Sequence, residues 1–157
     1  MKTEIFLDSS FFFPFIGVEV ENCEKSDVLN LITNENFQIF RSELTTFELS
    51  AKGVKLANEG EIEITDLIDG LNSLQFMNSV KVIPIFYSEI QILSSKFRKD
   101  HTDFIDCIIL ASAINYSQKL ISFDRTLKRK FLKKWQNEIQ TKKNFEMILW
   151  DDFKRSL

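Results

Sequence analysis

Apolar residues along the chain fall into two rhythms. Short runs of strand-forming residues occur at Ile5-Phe6-Leu7, Phe37-Gln38-Ile39-Phe40, Val80-Lys81-Val82-Ile83, Lys119-Leu120-Ile121-Ser122-Phe123 and Phe145-Glu146-Met147-Ile148-Leu149. Between them lie longer stretches whose apolar positions recur every three or four residues, the spacing of a helix with one buried face. Ser26 opens such a stretch through Val28, Leu29, Leu31 and Ile32, and Thr65-Asp66 opens another through Leu67, Ile68, Leu71 and Leu74. Ser42 opens a helix to about Gly60, with Leu44, Phe47, Ala51 and Val54 on the stripe expected to face the core and Gly60 as the stop. Ser88 and Gln91 match a capping box for a helix to about Lys99, and Thr102 is expected to cap a strongly apolar helix from Asp103 to Ser117. Near the N-terminus, Ser9-Ser10 is expected to cap an aromatic helix that Pro14 and Gly17 interrupt. The basic run Lys128-Arg129-Lys130-Phe131-Leu132-Lys133-Lys134 predicts a solvated helix with Phe131, Leu132 and Trp135 turned inward. Strands alternating with helices at these lengths predict an α/β sandwich with a mainly parallel sheet. With no repeats, low-complexity tracts or linkers, residues 1–157 are expected to form a single domain.

Composition narrows the function classes. A chain of 157 residues, 44% hydrophobic, can build a core without metal or disulfide staples. The run from Phe11 to Val18 is far short of the roughly 20 apolar residues that cross a bilayer, and no membrane partner is expected. The N-terminus reaches Asp8 after three apolar residues, too few for the core of a secretory signal, so the expected location is cytoplasmic. Cys23 and Cys107 form no CxxC pair, and with His101 as the sole histidine no zinc site is expected. The net charge of −3 hides an asymmetry: residues 1–79 carry 14 acids and 5 bases, residues 80–157 carry 9 acids and 15 bases. A weakly acidic whole argues against bulk polyanion binding, yet a local basic surface suits an anionic substrate.

Four acids stand out against this background. Asp8 and Asp124 each follow a strand, where open parallel sheets bind their ligands, although each is also well placed to cap the helix that follows. Glu48 lies at the edge of the apolar stripe of its helix, within roughly 60° of Leu44 and Ala51 at about 100° per residue. Asp106 sits among Ile105, Ile108, Ile109, Leu110 and Ala111, and Asp103 stands one turn earlier on the same face. A carboxylate on a buried face needs a partner or a cation, and a metal site converts the repulsion of the Asp103/Asp106 pair into affinity. Hard ions such as Mg²⁺ and Mn²⁺ take oxygen ligands and retain waters, which suits metal-assisted phosphodiester hydrolysis. No GxSxG, Walker loop, GxGxxG or HExxH competes with this reading, and a single histidine makes a nucleophilic triad a poor fit.

The order and spacing of these acids resemble those of the PIN-domain nucleases, particularly the small VapC-type toxins of toxin-antitoxin pairs. The resemblance is carried by Ile5-Phe6-Leu7-Asp8-Ser9-Ser10, by Thr45-Thr46-Phe47-Glu48-Leu49, by Asp103-Phe104-Ile105-Asp106 with the apolar helix to Ala113, and by Leu120-Ile121-Ser122-Phe123-Asp124. It implies a three-layer αβα sandwich and metal-dependent endonuclease activity on single-stranded RNA with Mg²⁺ or Mn²⁺. On that basis Asp8, Glu48, Asp106 and Asp124 are the expected catalytic and metal-binding acids, and Asp103 a supporting or alternative metal ligand. Ser9, Ser10 and Ser122 match hydroxyl positions that would orient carboxylates or a bound water. Arg125, Lys128 and Arg129 are expected to contact RNA phosphates at the rim.

The chain also departs from the family. Its aromatic segment Phe11-Phe12-Phe13-Pro14-Phe15 replaces a smooth aliphatic first helix, so the entrance near Asp8 is expected to be reshaped or covered by a partner. Residues 61–99 match no motif. Sixteen Phe are more than a core of this size needs, which favours a homodimer or a surface for a cognate antitoxin protein. Two other readings stand beside the nuclease: a PIN-like binding or scaffolding module without chemistry, and a receiver phosphorylated on a strand-end Asp. The receiver needs an acidic cluster that Asp8-Ser9-Ser10 lacks.

Overall fold

The structure, a computed structural model, describes residues 1–140 and 144–157. Among them, five strands form one sheet: β1 (Thr3–Leu7), β2 (Phe37–Ser42), β3 (Val80–Ile83), β4 (Lys119–Ser122) and β5 (Glu146–Leu149). Their order is β3-β2-β1-β4-β5, and every neighbouring pair is parallel. Alternation along each strand splits its side chains between the two faces. Phe40, Phe6, Leu120 and Met147 are successive register partners across the sheet and enter one core, while Leu7, Ile121 and Ile148 line up on the opposite face.

Each face carries its own helical layer, which completes the αβα sandwich. One layer holds the 3-10 helix Ser9–Ile16, α1 (Lys25–Thr33), α2 (Leu44–Asn58), α3 (Ile64–Gln75) and, after β5, a helix Trp150–Ser156. The other holds α4 (Ser88–Phe97), α5 (Phe104–Tyr116), α6 (Arg125–Lys130), the π-helical turn Phe131–Trp135 and α7 (Gln136–Gln140). The chain runs outward from β1 through β2 to β3, then crosses back to β4, so strand order reverses between β1 and β4. That is the position at which an open parallel sheet presents a ligand site at its carboxyl edge.

Several local expectations are corrected. The aromatic segment does not stop at Pro14 but runs as a 3-10 helix to Ile16 and ends at Gly17, whose φ of 81° closes the turn. Phe11, Phe12 and Phe15 are buried, so this run belongs to the core. In α2 only Leu44 of the expected stripe packs on the core: Phe47, Ala51 and Val54 are exposed, and Thr45, Leu49 and Gly53 face inward. The helix rolls because Gly53 admits α3 closely, a Cβ at that position lying 2.4 Å from Leu67 Cδ1, and because Thr45 bonds Ser9. Ile68 of α3 is likewise exposed. The Ser88 capping box does not form, since Gln91 donates instead to the Ile85 carbonyl at 2.6 Å. Asp103, not Thr102, caps α5. Leu132 points outward because the wider π turn keeps Leu127, Phe131, Trp135 and Ile139, each four residues apart, on the core. The helix Trp150–Ser156 (α8) was not foreseen; its Trp150 and Phe153 are buried.

Candidate functional site

The carboxyl edge of the sheet gathers acids from four separate segments. Asp8 follows β1 and Asp124 follows β4 two residues past its end. Glu48 stands in the first turns of α2, which starts directly after β2, and Asp106 in the first turn of α5, which runs back toward β4. Asp8 occupies the N-cap position of the 3-10 helix but makes no capping bond. Its Oδ2 instead accepts a 2.7 Å hydrogen bond from Ser122 Oγ, and that hydroxyl in turn accepts from the Asp124 backbone N–H at 3.0 Å. Ser122 is fully buried and ties the two strand-end acids together. Phe123, stacked on Phe11 with ring centres 4.5 Å apart, fixes the turn between them.

Asp124 does cap its helix: Oδ1 accepts from the N–H groups of Thr126 and Leu127 at 2.7 and 2.8 Å. Oδ2 is left for another role. Ser9 is buried and shares a 3.1 Å hydrogen bond with Thr45 Oγ1, which fastens α2 to the segment after Asp8.

The electrostatics show that these acids face one another. Burial pushes Asp8 up from 3.8 to about 6; the Ser122 bond opposes the rise, and the charges of Asp106 and Asp124 add to it. Burial likewise pushes Glu48 from 4.5 to about 7, with Ser9 opposing and Asp8, Asp106 and Asp103 adding. Asp106 is raised by burial, is held back by its bond from His101, and is raised further by Asp103 and Asp124. Glu48 Oε2 is buried without any hydrogen-bond partner. Among the described residues no lysine or arginine forms an ion pair with Asp8, Glu48, Asp103, Asp106 or Asp124.

Other expected site residues fall differently. Asp103 is exposed, and its Oδ1 caps α5 by accepting from Ile105 and Asp106 N–H at 2.9 and 3.3 Å, yet its charge reaches Glu48 and Asp106. Ser10 bonds none of the acids and lines a separate surface cleft with Phe13, Phe123 and Arg125. Arg125 and Lys128 reach Asp151 and Asp152 of α8 at 3.6 and 3.5 Å, while Arg129 is exposed and pairs with no acid among the described residues. Surface clefts of about 860, 770 and 620 Å³ are lined by none of the four acids.

Sequence reasoning missed two contributors. His101, 7% exposed, places Nε2 2.9 Å from Asp106 Oδ2, and Lys130 Nζ lies 3.0 Å from its Nδ1. The available signal was thin: the chain's one histidine stands five residues before an acid on an apolar helix face.

The donor set fits a hard divalent cation in chemistry. Like charges crowd together with no lysine or arginine pairing among the described residues, and one carboxylate oxygen is buried and orphaned, while Mg²⁺ needs only one or two carboxylates with waters completing its shell. As placed, no group of three or more described His, Cys, Asp or Glu side chains is arranged to hold an ion. The fit therefore rests on few protein ligands.

Comparison with known proteins agrees with this architecture. No curated protein matches the chain. The crystal structure of VapBC2 from Rickettsia felis bound to a DNA fragment from their promoter contains a chain of similar fold, with a TM-score of 0.60 and 17% identity over 95% of this chain and 100% of that one. Among the described residues no helix is long and apolar enough to cross a membrane. The PIN domain profile matches residues 5–131, a span that contains all four acids, and the chain belongs to the PIN domain family.

Proposed function

We propose that the protein is a metal-dependent endoribonuclease that hydrolyses phosphodiester bonds of single-stranded RNA, with Mg²⁺ or Mn²⁺ at the acid cluster. The observation that carries this reading is the meeting of Asp8, Glu48, Asp106 and Asp124, from four segments, at the carboxyl edge where strand order reverses, with no lysine or arginine pairing with them among the described residues. When bound, the ion supplies an activated water and neutralises charge on the phosphate. Asp8 and Asp106 are the acids we assign to the ion, and Glu48 contributes the orphaned Oε2, as a ligand or as a base toward water. Ser122 holds the Asp8 carboxylate in a single orientation, and Asp124 offers the oxygen that its helix cap leaves unused. Asp103 is assigned a supporting role through its charge. Arg129, with Arg125 and Lys128 released from their pairs at 3.6 and 3.5 Å, would take the RNA phosphates.

The PIN fold and the likeness to a VapBC2 chain support a role as the toxin of a toxin-antitoxin pair. For a cognate antitoxin, or a second copy in a homodimer, we assign the apolar residues Phe47, Val54, Ile64 and Ile68 that α2 and α3 leave exposed. The test is cleavage of a fluorescent single-stranded RNA panel in Mn²⁺, Mg²⁺ or EDTA by the wild type, Asp8→Asn and Asp124→Asn. Metal-dependent cleavage absent from both variants supports the proposal. No cleavage of any RNA would instead favour a PIN-like binding module without chemistry.

A further inference from the structure

The contacts of His101 are specific enough to assign its protonation pattern. The side chain is 7% exposed, and its backbone is held on both sides: its N–H donates to the Phe97 carbonyl at 3.0 Å, and its carbonyl accepts from Arg98 Nη1 at 2.9 Å. On the ring, Nδ1 lies 3.0 Å from Lys130 Nζ and Nε2 lies 2.9 Å from Asp106 Oδ2. An ammonium has three donors and no acceptor, so the nitrogen facing it must be the lone-pair nitrogen. The proton then sits on Nε2 and points at the carboxylate. Lys130 is itself anchored, because the same Nζ donates to the Asp100 carbonyl at 3.1 Å and Lys134 pairs with the Asp100 carboxylate at 2.6 Å.

Resting on the nuclease reading above, we propose that His101 is a positioning residue for Asp106 and that Lys130, from the basic helix, sets its tautomer. The chain Lys130–His101–Asp106 supplies one N–H to Oδ2 and thereby restrains the carboxylate. A ligand carboxylate so oriented loses less rotational freedom on taking up a cation, and partners of this kind change metal affinity by about 10–100-fold when removed. The arrangement also gives the basic run a function beyond phosphate contact. Its half-buried member, Lys130, acts on the acid cluster through the imidazole, while Arg129 faces solvent.

Because the chain contains one histidine, ¹⁵N imidazole NMR reads this residue alone. In EDTA, the wild type should show Nε2 as the protonated nitrogen and Nδ1 as the bare one, and Lys130→Met should admit the other tautomer. Mn²⁺ titration followed by electron paramagnetic resonance should then show His101→Phe weakened about tenfold or more. His101→Gln, whose amide presents an N–H and a carbonyl in place of the two ring nitrogens, should stay within about threefold of wild type. Melting curves in EDTA identify variants that fail to fold, and the tautomer measurement needs no variant. An Nδ1–H tautomer in the wild type, or unchanged Mn²⁺ affinity in folded His101→Phe, would overturn this inference and leave the nuclease reading standing. Failure of the wild type to bind Mn²⁺ at all would overturn both.

Discussion

Replacing Glu48 by Gln should stabilise the metal-free protein, and should do so only above acid pH. The native carboxyl, pushed by burial from 4.5 to about 7, has its Oε2 buried without a hydrogen-bond partner. Holding it ionised costs up to about 3 kcal/mol at 1.36 kcal/mol per pH unit. Because Glu48 is partly exposed and its charge is coupled to Asp8 and Asp106, about 1–2 kcal/mol is the expected net effect. The sign follows from linkage. With the folded pKa above the unfolded one, the native state holds its proton longer, so the wild type loses stability as pH rises from about 4.5 to about 7. Gln mimics the protonated acid. The variant should therefore match wild type near pH 4.5 and exceed it at pH 8 in EDTA, a rise in Tm of roughly 2–8 °C for a chain of this size. Urea unfolding at both pH values, with EDTA or saturating Mn²⁺, is the assay. Mn²⁺ should narrow or reverse the gap, since a ligand that binds the folded state stabilises wild type by mass action. A Gln variant less stable than wild type at pH 8 in EDTA, or a difference independent of pH, would refute this account of the cluster.

Other expectations are narrower. Ser122→Ala should cost about 1–3 kcal/mol at pH 8 by urea unfolding, since it strips the donor from a buried Asp8 oxygen, and less at pH 4 where Asp8 is protonated. Gly70→Ala should lower stability by about 1–3 kcal/mol despite the better helix propensity of alanine, because its Cβ would lie 2.2 Å from the Phe15 carbonyl oxygen; a neutral result in thermal melts would show that the 3-10 segment yields easily. Arg41 is 5% exposed, has an unpartnered Nε and pairs with no acid among the described residues, so Arg41→Met should leave urea stability unchanged or improved, whereas a loss above about 2 kcal/mol would mean that its bond to Thr46 Oγ1 dominates. Asp106→Asn should fold normally in EDTA, since its amide oxygen still accepts from His101, and marked destabilisation in a melt would assign Asp106 a structural role instead.

The fold was legible because strand runs such as Ile5-Phe6-Leu7 and Leu120-Ile121 send buried side chains to both faces, and because scarce Gly and Pro left the helical rhythm clear. What the pattern could not show was which face of α2 turns inward. Thr45 and Gly53 carry little hydrophobic signal, yet one bonds Ser9 and the other admits α3, and these contacts override the more apolar stripe of Phe47 and Val54. Asp8, Glu48, Asp106 and Asp124 were legible as acids out of place in apolar surroundings. The tie through Ser122 was anticipated only by position, and the geometry supplied the bond. His101 and Lys130 were hidden because their meeting joins two segments 29 residues apart, and no local pattern encodes such a contact.

The proposed function requires that Asp8, Glu48, Asp106 and Asp124 all contribute to cation binding, a few as ligands and the rest through their charge. Mn²⁺ binding measured by electron paramagnetic resonance on wild type, Asp8→Asn, Glu48→Gln, Asp106→Asn and Asp124→Asn tests it most directly. Weakened binding in every one of the four variants, each folded by its melting curve, is the predicted result. Wild-type affinity retained in folded Asp8→Asn and Asp106→Asn would contradict it.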